Sequence, residues 1–235
     1  MRRLRLIILV SLMGAMRAAA LNPIHESSYS LLPRGNSASD AAVSVAGIMR
    51  SGSGGDFDLP VSLQFQVTRH VELGGGIKTH WGDGGHVPYL VFGAKYLTPG
   101  ATSFQADFMI GSASGSGKGF ALGAHHRFGY SRRFQSRLVG KLGFMDALVD
   151  EDALLAFEVG FYPSLMLMRP LTFELGLITS SQTENFDSHF AMDLQPALLV
   201  GIGKESVVET AVAWGLTGDD RKEDLRVKVA IIWGF

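Results

Sequence analysis

The chain has 235 residues, 46% hydrophobic and 18% charged, with 29 glycines, 15 phenylalanines, 8 prolines and no cysteine. That composition excludes a disordered or collagen-like chain. The missing thiol excludes disulfide scaffolds, thiolate zinc sites, cysteine nucleophiles and lipoprotein acylation. A formal charge of −1 leaves no basic surplus to bind a phosphate backbone, so nucleic acid is not an expected partner.

Residues 1–20 read as a secretory signal peptide. Arg2, Arg3 and Arg5 open the chain, an apolar run follows from Leu6 to Met16, and Ala18, Ala19 and Ala20 supply the small-residue exit. The apolar run is shorter than the ~20 residues a membrane-spanning helix needs. Cleavage after Ala20 removes four of the 21 basic residues and leaves 17 against 22 acidic, a net charge of −5. Residues 21–40 carry Ser, Asn, Pro and Gly with little periodicity. They read as an N-terminal periplasmic tail or partial plug, with Tyr29, Leu31 and Leu32 as anchors.

From Ala41 onward the dominant period is two. Phe57, Leu59, Val61, Leu63, Phe65 and Val67 alternate with Asp58, Pro60, Ser62, Gln64 and Gln66. Strict alternation over that length describes a strand with two different faces. Phe190 to Ile202 repeats it, and so does Leu225 to Phe235. Read this way, the chain divides into segments 41–50, 57–67, 71–81, 87–97, 101–111, 119–130, 134–145, 152–167, 171–180, 189–202, 206–216 and 225–235. Most are slightly longer than the ~9–11 residues with which a tilted strand crosses a bilayer. Connections alternate between short ones (68–70, 98–100, 131–133, 168–170, 203–205) and longer ones (51–56, 82–86, 112–118, 146–151, 181–188, 217–224). The repeat unit is therefore a β-hairpin. The expected fold is all-β: an antiparallel, up-and-down transmembrane barrel of twelve strands over residues 41–235.

Alternation alone does not say which face meets water. Three features favour lipid outside. One face is rich in Gly, Ser and Ala. The other ends in Trp81, Tyr96, Phe104, Tyr130, Phe134, Trp214, Trp233 and Phe235, like the aromatic girdles of membrane proteins. Short turns alternate with longer loops, as at the periplasmic and external ends of such barrels. The terminal pattern Val227, Val229, Ile231, Trp233, Phe235 resembles the C-terminal signal of Gram-negative outer-membrane barrels. That resemblance implies recognition by the barrel assembly machinery and residence in the outer membrane. Leu59-Pro60 leading through Val67-Thr68-Arg69-His70-Val71-Glu72-Leu73-Gly74 is similar to a hairpin of the phenol-degradation meta-pathway outer-membrane family.

With apolar residues on lipid, the in-strand charges point inward. The bases are Arg50, Lys78, Lys95, Arg127, Arg137, Lys141, Arg226 and Lys228. The acids are Asp58, Glu72, Asp107, Glu158, Glu174, Asp193 and Glu209. Counted by segment, acids and bases fall on separate walls. This pattern predicts a transverse field across a pore for small polar solutes. The alternatives are a structural or adhesive barrel whose lumen is closed by paired charges, and a surface hydrolase. Outer-membrane phospholipases and lipid A deacylases use a His-x-Ser pair on the lipid face. Here His126 is followed at that spacing by Phe128, so the nucleophile is missing. Asp187, His189, Asp219 and Asp220 supply the residue types of an omptin-like site. His80, Asp83 and His86 form a three-ligand metal candidate with no fourth ligand. Gly74-Gly75-Gly76 lacks the ending and the helix of a phosphate loop. A monomer with no catalytic residues, no metal and no cofactor is expected.

Overall fold

The computed structural model of the chain describes residues 41–51, 57–82, 85–111, 118–131, 133–146, 153–182, 190–202, 206–217 and 225–234. The expectations for the signal peptide at 1–20 and the tail or plug at 21–40 lie outside these residues. So do those for Asp83, Asp187, His189, Asp219, Asp220 and Phe235.

The described chain is a run of strands. They are β1 (Ala41–Ser51), β2 (Phe57–Gln66), β3 (Val71–Gly82), β4 (Gly85–Leu97), β5 (Thr102–Gly111), β6 (Lys118–Gly129), β7 (Phe134–Asp146), β8 (Ala153–Met168), β9 (Leu171–Gln182), β10 (Ala191–Ile202), β11 (Ser206–Thr217) and β12 (Leu225–Gly234). Each pairs antiparallel with its neighbours in sequence. β12 returns to β1 from Ala42↔Gly234 to Ser51↔Leu225, which closes the barrel. Closure leaves no strand edge with unpaired backbone groups. A sheet must meet that condition in a hydrocarbon medium.

The expected segments match these strands to within a few residues. One connection differs. The β3–β4 ladder continues to Gly82↔Gly85, so this hairpin turns through two residues instead of the longer loop expected at 82–86. The ladder also sets His80 opposite Val87 and Trp81 opposite His86. The two histidines of the metal candidate thus occupy strand positions of opposite parity.

The face assignment follows burial. Along β12, Leu225, Val229, Ile231 and Trp233 are 40–64% exposed, while Arg226, Lys228, Ala230 and Ile232 are at most 5% exposed. The same inversion runs round the barrel. Phe92, Phe108, Phe120, Leu122, Leu142, Phe161 and Leu177 face out, and Gln105, Asp107, Lys141, Glu158, Glu174 and Gln195 are buried. An exposed apolar belt of this extent on all sides is covered by lipid, not water.

The short turns are held by local bonds. Thr68 Oγ1 accepts from the backbone N–H groups of His70 (3.2 Å) and Val71 (3.1 Å). Ser131 Oγ accepts from those of Arg133 (3.2 Å) and Phe134 (2.9 Å). Side-chain oxygens that cap the backbone in this way specify tight turns.

Candidate functional site: the inner wall

The inward-facing side chains are the only large set of polar groups in the described strands that the fold gathers in one place. Their arrangement corrects one expectation. Acids and bases are not two walls facing each other across the lumen. They pair sideways along the wall, with the next strand or the next but one.

Glu72 on β3 and Lys95 on β4 are register partners, and their charged atoms lie 3.5 Å apart. Lys141 on β7 stands opposite Glu158 on β8, both buried. Arg137, also on β7, reaches over β8 to donate from Nη2 to Glu174 Oε1 on β9 at 2.8 Å. Lys228 on β12 lies 3.2 Å from Glu209 on β11. Arg226 on β12 crosses β11 to meet Asp193 on β10 at 2.6 Å. Each end of the acidic stretch is thereby tied to a base. The transverse field predicted from counting charges per strand is largely cancelled locally.

Small residues make the long reaches geometrically possible. Arg226 is in register with Ala213, and Asp193 with Gly215, so little stands on β11 between them. Lys141 lies across Gly123 on β6, where an added Cβ would come within 3.2 Å of its Cγ. The Asp107 carboxylate lies over Gly93 in the same manner. Gln105 donates from Nε2 to both Asp107 oxygens, at 2.9 and 2.7 Å.

Tyr162 on β8 is an inward residue that charge counting overlooked. Its ring lies flat on the wall. A Cβ on Gly160 would be 2.5 Å from ring carbon Cε2, and one on Gly176 would be 2.8 Å from Cε1. The Arg137 guanidinium sits over the ring, with Cζ 4.8 Å from its centroid. Val139 and Ile178 complete a small apolar cluster with Tyr162 on the inner face. Glycine on the same parity at Gly160 and Gly176, flanking an inward aromatic, is the sequence signal that marks it.

The remaining expected wall residues fall as follows. Asp58 on β2 is fully buried on the inner face, opposite Ile48 and His80. Arg127 on β6 faces Arg137 in register and is half-buried. Arg50 pairs in register with Arg226, and Lys78 with Pro60 and Tyr89; these are backbone positions of inward parity. On the outer face, His126 Nδ1 is 2.8 Å from Thr102 Oγ1, and its ring meets Phe128 edge-on at 4.4 Å. Phe128, Tyr130 and Phe134 continue that aromatic row at the short-turn end. Among the described residues no group of three His, Asp or Glu is placed to hold a metal ion.

No family model matches the chain, and no curated protein does. Solved structures do match. The KdgM porin in complex with disordered oligogalacturonate superposes with a TM-score of 0.59 at 12% identity, covering 83% of this chain and 99% of that one. The NanC porin gives 0.60 at 8% identity, covering 82% and 100%. The COG4313 outer membrane channel from Pseudomonas putida F1 gives 0.58 at 10%, covering 84% and 96%. At such identities the likeness is one of fold. The chain has the fold of the bacterial outer-membrane β-barrels, and its apolar belt is the surface that such a membrane covers.

Proposed function

We propose that the protein is a narrow pore or uptake channel for small polar solutes in the bacterial outer membrane. One observation carries the reading: a barrel sealed against lipid outside is lined inside by ionisable side chains. Stability does not call for them, since well-packed apolar residues commonly replace buried ion pairs at no cost. A hydrated path does call for them, because an ion or polar solute entering the lumen loses water that wall groups must replace. That a barrel of similar fold occurs in complex with an oligogalacturonate supports polar cargo.

In this reading Arg50, Asp58, Glu72, Lys78, Lys95, Asp107, Arg127, Arg137, Lys141, Glu158, Glu174, Asp193, Glu209, Arg226 and Lys228 line the path. Residues 1–20 direct export and are removed. The pattern ending at Phe235 is read by the assembly machinery. The barrel works as a monomer and catalyses no reaction.

The test is conductance of the refolded protein in planar bilayers under a salt gradient. Because the wall charges pair laterally, the wild type should show only weak ion preference. Lys141→Glu should move the reversal potential towards cations, and Glu158→Lys towards anions. A conducting wild type whose reversal potential ignores both substitutions removes these residues from the path. A second reading is favoured by the pairing itself and by the near-complete burial of Glu158 and Glu209 (1% and 0% exposed). In it the paired charges close the lumen, and the wild type carries no current at all.

A further inference from the structure

Two neighbouring short turns end in arginine that the fold leaves unpaired. Residues 131–133 read Ser-Arg-Arg and 168–170 read Met-Arg-Pro, with no acid in either. Arg133 and Arg169 are both exposed. Among the described residues no ion pair takes up either guanidinium. The two turns adjoin. The backbone oxygen of Arg133 accepts from the Met166 N–H at 2.8 Å, which seats Arg133 against the end of β8, three residues before Arg169.

The outer surface beside these turns is apolar. Tyr130 and Phe134, both exposed, stack with ring centroids 5.3 Å apart. Phe134 is in register with Leu165 on β8, which is exposed too. The β8–β9 ladder shifts register between Met166 and Met168, and Leu167 and Met168 end the strand exposed. Aromatic rings at the rim of a membrane protein mark the level where headgroups meet acyl chains. Arginine at that level attracts anionic lipid, and a guanidinium fits a phosphate through two parallel hydrogen bonds. A free inorganic anion would leave the apolar surface unused. A zwitterionic headgroup would bring an ammonium that the arginines repel.

We propose that this sector of the short-turn rim binds an anionic glycerophospholipid. Arg133 and Arg169 take its phosphate, and Phe134 with Leu165 takes its acyl chains below the Tyr130 ring. The site is on the outside of the barrel, so it stands whether or not the lumen conducts.

The test is native mass spectrometry of the full chain folded in a nonionic detergent. It is titrated with phosphatidylglycerol and, in parallel, with phosphatidylethanolamine of the same acyl chains. Phosphatidylglycerol should bind at least tenfold more tightly. Arg133→Gln and Arg169→Gln should each weaken its binding about tenfold, as loss of a hydrogen bond to a charged group does. Arg69→Gln removes an exposed arginine from a different short turn and should leave the affinity unchanged. Inorganic phosphate at the concentration of the lipid should not displace it. Heat-modifiable gel migration identifies the folded variants. Equal binding of the two lipids, or wild-type affinity in both Arg133→Gln and Arg169→Gln, overturns the site. An equal loss in Arg69→Gln overturns it as well, because the lipid then follows the charge of the whole rim. Displacement by inorganic phosphate overturns the lipid as occupant.

Discussion

Arg226 illustrates what a single inward residue does in this wall. Its guanidinium crosses a neighbouring strand to a buried carboxylate on Asp193, and both groups are almost wholly out of water. Removing one partner leaves the other as an uncompensated buried charge. Such a change typically costs about 3–5 kcal/mol, whereas removing both is often neutral. Arg226→Met should therefore destabilise the folded barrel by about that amount. Asp193→Leu in the same chain should recover most of the loss. Urea unfolding of the protein in lipid vesicles measures both, as shifts of the midpoint at constant slope. A double variant no more stable than Arg226→Met would mean that the pair does not act as a unit.

At the scale of the element, β8 shows how sequence pattern and packing divide the information. Its alternation sets the strand and its faces to within a residue or two, because burial on one side imposes a period of two. Alternation says nothing of height along the barrel. Charges counted per strand therefore suggested two opposed walls, while the registers bring Arg137 to Glu174 and Lys228 to Glu209 sideways. Nor do charges reveal Tyr162, whose place depends on two glycines on successive strands. Gly160→Ala should force the Tyr162 ring from its seat and cost about 1–3 kcal/mol, the usual penalty of overpacking. Tyr162→Ala should abolish that penalty, which a double-mutant cycle in urea detects as a coupling between the two positions. Additive effects would show that the ring does not depend on Gly160. The terminal strand was legible for a different reason, its outward row of Val229, Ile231 and Trp233 being exposed as alternation requires. Phe235→Ala should slow insertion in vivo, and deletion of Phe235 should slow it more, through loss of an interfacial aromatic and of the terminal pattern. Unchanged folded yield of both variants, by heat-modifiable migration, would remove the assembly role.

At the scale of the molecule, the two ends of the barrel differ in charge as well as in loop length. The short turns carry Arg69, Arg133 and Arg169, all exposed. The longer connections carry Asp150 and Glu151, then Glu184 and Asp187, then Asp219, Asp220, Glu223 and Asp224 beside Arg221 and Lys222. Barrels of this type keep short turns on the periplasmic side and longer loops outside. Because the chain has no cysteine, single cysteines report this orientation directly. A cysteine at Ser188 should react with a membrane-impermeant maleimide on intact cells. One at Ser131 should react only after the outer membrane is opened. Labelling at Ser131 but not at Ser188 on intact cells would invert the barrel.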